Sequence, residues 1–253
     1  MSTPTRLDYG TDPAQFAELT LPPDGAQPRG TIVVIHGGFW RSRHDLALGR
    51  PLAATLAGAG FAAWNIEYRR VGTGGGWPAT FDDVAAAVDL LADQEWLDPD
   101  RVVALGHSAG GHLAAWLAAR PGLPTGTPGA DPRVRLRGAV SQAGVLDLVD
   151  GARNGVGNGA IEDLLGSPLP GDGRYELASP AERLPVGVPV ICVHGDADVN
   201  VPVRQSERYV AAAQAAGDPA ELVVLPGVEH FAVIDPATEA WRACESAVAR
   251  LLA

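Results

Sequence analysis

The sequence predicts an α/β fold with a mostly parallel central sheet and helices on both faces. Two observations lead there. Short apolar runs alternate with longer helix-like stretches along most of the 253 residues. One of those runs, at 102–105, passes through Gly106-His107-Ser108-Ala109-Gly110 straight into an alanine-rich stretch ending at Ala119, which reads as strand, tight turn and helix in succession. At this length the chain can bury a full core, and one domain over 1–253 is expected.

In chain order, residues 16–21 alternate apolar and polar, the pattern of a half-buried strand near a sheet edge. Pro22-Pro23-Asp24-Gly25 is a turn. The continuous β-branched run at 31–35 predicts a central strand covered on both faces, leading directly into His36-Gly37-Gly38-Phe39-Trp40. Residues 45–59 read as a helix ended by Gly60, and 61–68 as the next strand. A glycine-rich loop at 72–76 and Trp77-Pro78 precede a helix at 80–94, where Asp82 and Asp83 in the first turn suit the helix dipole.

Beyond the central unit, 123–132 is a Pro/Gly loop and 136–141 another strand. Strands at 188–194 and 221–225 then alternate with helices at 202–216 and 236–252. Residues 145–187 exceed what a plain crossover needs. They form either a small lid or pocket wall above the sheet, or a helix with long surface loops. Nothing comparable precedes the first central strand, so no large N-terminal cap is expected.

Composition narrows the function classes. A hydrophobic fraction of 46% with 19% charged residues is that of a globular protein. The formal net charge of -11 argues against a nucleic-acid partner and against an anionic membrane surface. All 19 basic residues are arginine. Residues 1–10 lack the apolar stretch of a signal peptide, and nowhere do 18 apolar residues run together, so a soluble, cytoplasmic protein is expected. Cys192 and Cys244 read as small buried hydrophobes rather than a disulfide or metal pair.

Gly106-His107-Ser108-Ala109-Gly110 matches G-x-S-x-G, in which a tight strand-to-helix turn presents a serine above the sheet. With 31 glycines and eight serines in the chain, shuffling would give about 0.12 copies of the pattern. The pattern alone is therefore weak, and the strand before it and helix after it supply its weight. A serine hydroxyl needs a base. His107 belongs to the turn itself and His112 to the following helix; His36 and His194 end strands and fit hydrogen-bonding support; His44 has no motif. His230, in the loop after the last strand, can reach back over the sheet toward Ser108. The base in turn needs a carboxylate, and the 194–202 loop offers two. Asp198 is chosen because Asp196 lies close to the strand end and is expected to brace the turn.

An oxyanion formed at Ser108 needs donors. The Ala109 amide lies at a helix N-terminus, and the glycines of His36-Gly37-Gly38-Phe39-Trp40 let the amides of Gly38 and Phe39 turn toward substrate. Trp40 and His107 are candidates for the substrate-pocket wall, with core packing an equal alternative for Trp40. The histidines and carboxylates show no HExxH spacing, so no metal is expected, and the proposed set needs no cofactor.

HGGFW, GHSAGGH, HGDADVNVP and GVEHF, set in strand-helix alternation, resemble the α/β-hydrolase fold of serine esterases from Thr31 onward. The order Ser108, Asp198, His230 is the one that resemblance implies. Within the superfamily, HGGxW with GHSAGxHLAA is similar to the arylformamidases (kynurenine formamidases), the small carboxylesterases and the feruloyl-esterase-like hydrolases. Esterases of the hormone-sensitive-lipase group carry a third glycine where Phe39 stands. Residues 65–70 and 76–83 also resemble those esterases and the catalytic domain of prolyl-oligopeptidase-like enzymes, whose propeller has no room here. The resemblance implies a serine hydrolase acting on a small-molecule ester, with an arylformamidase cleaving N-formylkynurenine as the alternative. A catalytically silent binding module is a third reading, although no member of the set is missing.

Overall fold

The computed structural model describes residues 3–169 and 173–253. In chain order its elements are β1 (Thr5–Asp8), β2 (Phe16–Thr20), β3 (Thr31–Ile35), α1 (Arg50–Gly58), β4 (Ala62–Ile66), α2 (Ala79–Asp89), β5 (Val102–His107) and α3 (Ala109–Ala119). There follow β6 (Gly138–Gln142), α4 (Leu148–Arg153), α5 (Ala160–Leu165), α6 (Arg174–Ala178), β7 (Val190–Gly195), α7 (Arg204–Ala215), β8 (Ala220–Leu225) and α8 (Glu239–Leu251). The strands form one sheet in the order β1-β2-β4-β3-β5-β6-β7-β8. β2 runs antiparallel to both neighbours, and from β4 to β8 every pairing is parallel. Parallel strands place their carboxyl ends, and the loops leaving them, on one edge of the sheet.

The period-2 geometry of a strand explains the two cores. Ile32 and Val34 of β3 pack with Leu52, Leu56, Trp241 and Val248 under α1 and α8. Val33 and Ile35 point the other way, into a cluster with Trp64, Phe81, Leu113 and Trp116 under α2 and α3. A strand buried on both faces has no polar alternation, which is the signature of the β-branched run at 31–35. All eleven residues of α3 are buried. Its outer side is covered by described residues of 145–187, among which the Leu177 and Ala178 carbonyls accept hydrogen bonds from Trp116 and His112 of α3. Cover on all sides accounts for an alanine-rich helix without a polar face.

Departures from the expected elements have local causes. β1 carries little apolar signal and lies exposed at the sheet edge, so only its pairing with β2 reveals it. The helix expected at 45–59 is a 3₁₀ turn (Leu46–Gly49), capped by Asp45, followed by α1. Pro51 stands in the first turn of α1, where its missing N–H costs nothing. The helix expected at 80–94 is α2 followed by a 3₁₀ turn, Leu90–Asp93. α8 starts at Glu239 rather than Pro236 because the Thr238 side chain caps it, accepting from the Trp241 amide at 3.1 Å.

Between β6 and β7 the described chain makes α4, α5, α6 and a 3₁₀ turn, with Leu148, Ile161, Leu164, Leu165 and Tyr175 buried beneath them. Residues 170–172 of this expected lid segment, and residues 1–2 of the expected domain, lie outside the described residues. No described helix is long and apolar enough to cross a membrane. Cys192 and Cys244 are free and buried, and burial pushes both thiols up to about 12.

Candidate active site

Ser108 joins β5 to α3 with φ 55 and ψ -118, a conformation that costs an L-residue about 1–3 kcal/mol. Its neighbours impose it. The Ser108 amide donates to the Gln142 carbonyl at 2.8 Å, and its own carbonyl accepts from His112 at 3.1 Å. A Cβ at Gly106 would collide with the Gly110 carbonyl, and a Cβ at Gly110 with the Ile35 carbonyl. Both glycines of the motif are thus required by close approach of β3, β5 and α3.

Asp198 follows β7 and His230 follows β8, and the structure brings them together. His230 Nδ1 donates to Asp198 Oδ2 at 2.6 Å. Asp198 Oδ1 accepts from the amides of Asn200 (2.8 Å) and Val201 (2.9 Å). His194 Nε2 lies 3.3 Å from Asp198 Oδ2 and donates to the Val201 carbonyl at 2.9 Å, so its Nδ1 accepts from the Ser206 hydroxyl at 2.8 Å. Burial alone would raise the Asp198 pKa. Hydrogen bonds from His194, His230 and the Val201 amide outweigh it and hold the carboxyl well below the usual range. Asp196 braces the turn as expected, accepting from the Gly227 amide at 2.6 Å.

With Nδ1–H committed to Asp198, Nε2 is the His230 nitrogen left to accept a proton. Ser108 and His230 border the same cavity, of about 370 Å³. No hydrogen bond joins their side chains among the described residues; such bonds are often long before substrate binds. His107 supports the arrangement. Its Nε2–H donates to the His230 carbonyl at 2.9 Å, and its ring centroid lies 4.5 Å from that of His230. Burial, with the His230 charge adding to it, drives the His107 pKa down to about 3, so this ring stays uncharged.

Gly38 and Phe39 also line the cavity. Gly38, Phe39 and Trp40 have φ of 119, 51 and 57, which turns this loop sharply off the end of β3. Among the described residues the amides of Gly38, Phe39 and Ala109 donate to no protein acceptor. The loop is anchored from below. His36 Nε2 pairs with buried Glu67 at 3.1 Å, the His36 carbonyl accepts from Tyr68 Oη at 2.9 Å, and the two rings stack at 4.4 Å. Of the two places left open for Trp40, the structure takes the core. Trp40 is fully buried away from the cavity, and its Nε1–H donates to His112 Nδ1 at 3.2 Å. Burial brings the His112 pKa down to about 4.

No described residue of 145–187 borders the cavity. The segment stands one layer behind it. A Cβ at Gly157 would lie 2.6 Å from Phe39 Cδ1, and Arg41 pairs with Asp163 at 2.6 Å while donating to the Gly157 and Asn158 carbonyls. The cavity is also lined by Arg41, Arg43, His44, Leu48, Asn200 and Phe231, none of them expected from sequence. Position in or near a motif is the signal that could have found several of them: Arg43 and His44 lie shortly after HGGFW, Asn200 lies in HGDADVNVP two residues after Asp198, and Phe231 ends GVEHF directly after His230. The described residues hold no cluster of three or more His, Cys, Asp or Glu side chains suited to a metal.

The model of the BD-FAE family matches residues 17–212. Among curated relatives, isoprenylcysteine alpha-carbonyl methylesterase ICME of Arabidopsis thaliana is 26% identical over 239 residues, covering 88% of this chain and 55% of the relative. The probable carboxylic ester hydrolase LipM of Mycobacterium tuberculosis is 30% identical over 206 residues, covering 78% and 48%. The chain thus spans about half the length of these two relatives. Among solved structures, the thermophilic esterase Est2 of Thermogutta terrifontis superposes with a TM-score of 0.79 at 25% identity, covering 98% of this chain and 91% of Est2. The fold is the α/β-hydrolase fold.

Proposed function

The chain belongs to the BD-FAE family, and from that premise we propose that it is a serine hydrolase cleaving small carboxylic esters. The observation that carries the reading is the 2.6 Å bond between His230 and Asp198 beside a cavity shared with Ser108 on its strained turn. Ester-hydrolase names among the relatives support it, and none of the relatives described above is named a formamidase.

In this mechanism His230 Nε2 takes the hydroxyl proton as Ser108 Oγ bonds to the ester carbonyl carbon. The resulting imidazolium is stabilised by Asp198, whose low pKa keeps it ionised. The carbonyl oxygen, now negative, is met by the amides of Ala109 and of Gly38 or Phe39, each worth about 3 kcal/mol of barrier reduction. Collapse expels the alcohol, which receives its proton from His230, and leaves Ser108 acylated. Water then attacks with His230 again as base; the acid departs and the serine proton returns.

Turnover of a short p-nitrophenyl ester tests this. Ser108→Ala should lower kcat by roughly 10⁴- to 10⁶-fold with the fold intact. Near-normal turnover in the variant would remove Ser108 from its role. Absence of turnover in the unaltered protein would favour the silent module, and a large kcat/KM preference for N-formylkynurenine would favour the formamidase.

A further inference from the structure

The cavity over Ser108 is bordered by Arg41, Arg43 and His44, and by no aspartate or glutamate among the described residues. In a chain of formal charge -11 this is a local reversal of sign. Two of the three side chains are already accounted for. Arg41 is paired with Asp163. The His44 pKa is lowered by burial and then by the neighbouring Arg43 charge, so its ring is uncharged near neutral pH. Arg43 differs from both. It is exposed, and no described carboxylate reaches it. The nearby Asp45 does not compensate: its carboxylate accepts from the Ala47 amide at 2.9 Å, and it borders a separate hollow shared with Arg50 and Arg70.

A guanidinium presents a planar fork of N–H donors that fits a carboxylate bidentately. Phe39, Leu48 and Phe231 line the same cavity and offer an apolar surface to the rest of a ligand. We propose that Arg43 receives an anionic group of the substrate, and that the esters preferred at Ser108 carry a carboxylate a few atoms from the scissile bond. This rests on the ester-hydrolase reading above. The reaction is unchanged; only the group gripped beside it is added.

Two matched pairs of esters test the assignment: 4-acetoxybenzoate against its methyl ester, and monomethyl against dimethyl adipate. The first pair puts the charge on the leaving group and the second on the acyl group. The readout is the ratio of kcat/KM for the charged member to that for the neutral one, which cancels intrinsic reactivity when variants are compared. Arg43→Gln should lower this ratio by roughly three- to tenfold for at least one pair, mainly through KM. Arg43→Lys should retain most of it, and high salt should weaken it in the unaltered protein. Arg135→Gln, which removes an exposed charge outside the cavity, should leave the ratio unchanged. A ratio unaltered by Arg43→Gln for both pairs, or lowered equally by Arg135→Gln, overturns the assignment while Ser108-dependent cleavage of the neutral esters keeps the ester reading. If cleavage persists in Ser108→Ala, the ester reading falls and the Arg43 assignment falls with it.

Discussion

Asp198→Asn isolates the charge of the carboxylate from its shape. In the folded protein Oδ1 faces two amide donors, Asn200 at 2.8 Å and Val201 at 2.9 Å. Oδ2 faces two ring donors, His230 Nδ1 at 2.6 Å and His194 Nε2 at 3.3 Å. An asparagine must therefore place its oxygen at the Oδ1 position, and its NH₂ then points at both imidazoles. His194 cannot adapt freely, because its Nε2–H also serves the Val201 carbonyl and its Nδ1 accepts from Ser206. His230 can adapt by moving its proton to Nε2, and that makes the nitrogen facing the serine a donor. The base is lost without disturbing the backbone. Loss of the correct tautomer in such a triad costs about 10⁴ in kcat, equivalent to about 5 kcal/mol. Saturation kinetics with p-nitrophenyl acetate, beside a thermal melt, would measure this. A folded Asp198→Asn protein with kcat within tenfold of the parent would refute the reasoning, since His230 would then not depend on the carboxylate.

Further expectations follow from the same network. His107→Phe keeps a ring in place but removes the donor to the His230 carbonyl; kcat should fall by about ten- to a hundredfold with a smaller change in KM, and a kcat within twofold of the parent would deny His107 its positioning role. Stability should decline on mild acidification. The His107 and His112 rings stay uncharged in the folded protein down to about 3 and 4, while in the unfolded chain they bind protons near 6.5. Between those values the unfolded state holds more protons, so stability is full above 6.5 and is lost as pH falls. The loss is up to about 1.4 kcal/mol per pH unit for each ring, or about 2–3 kcal/mol between pH 6 and 5 together. Urea midpoints that coincide at pH 7 and pH 5 would contradict it.

Much of the architecture was legible because burial on both faces writes itself into sequence. The runs at 32–35 and 102–105 are apolar throughout since helices cover them above and below. Ser108, Asp198 and His230 could be singled out as candidates because each sits in a short motif at a strand end, and the structure brings His230 and Asp198 into contact beside the cavity that Ser108 lines. What stayed hidden depends on contacts between distant segments. β1 exists through its pairing with β2 rather than through any pattern of its own. His107 could be assigned to the turn, but its hold on a carbonyl 123 residues away could not be read from either segment alone. Trp40 was ambiguous for a related reason: its place in the core is set by His112 on another element. Arg43 and His44 follow a recognisable motif, yet only the shape of the cavity makes them its lining.

The pairing of Arg41 with Asp163, together with the packing of Gly157 on Phe39, ties the amide-bearing loop to a stretch that never meets the cavity. That stretch works as a buttress. Altering residues 154–163 is expected to disturb the loop of Gly38 and Phe39 before it reaches Ser108, Asp198 or His230, none of which these contacts involve. On the proposed mechanism, sequence drift in a stretch that does not line the cavity would then change the rate from behind.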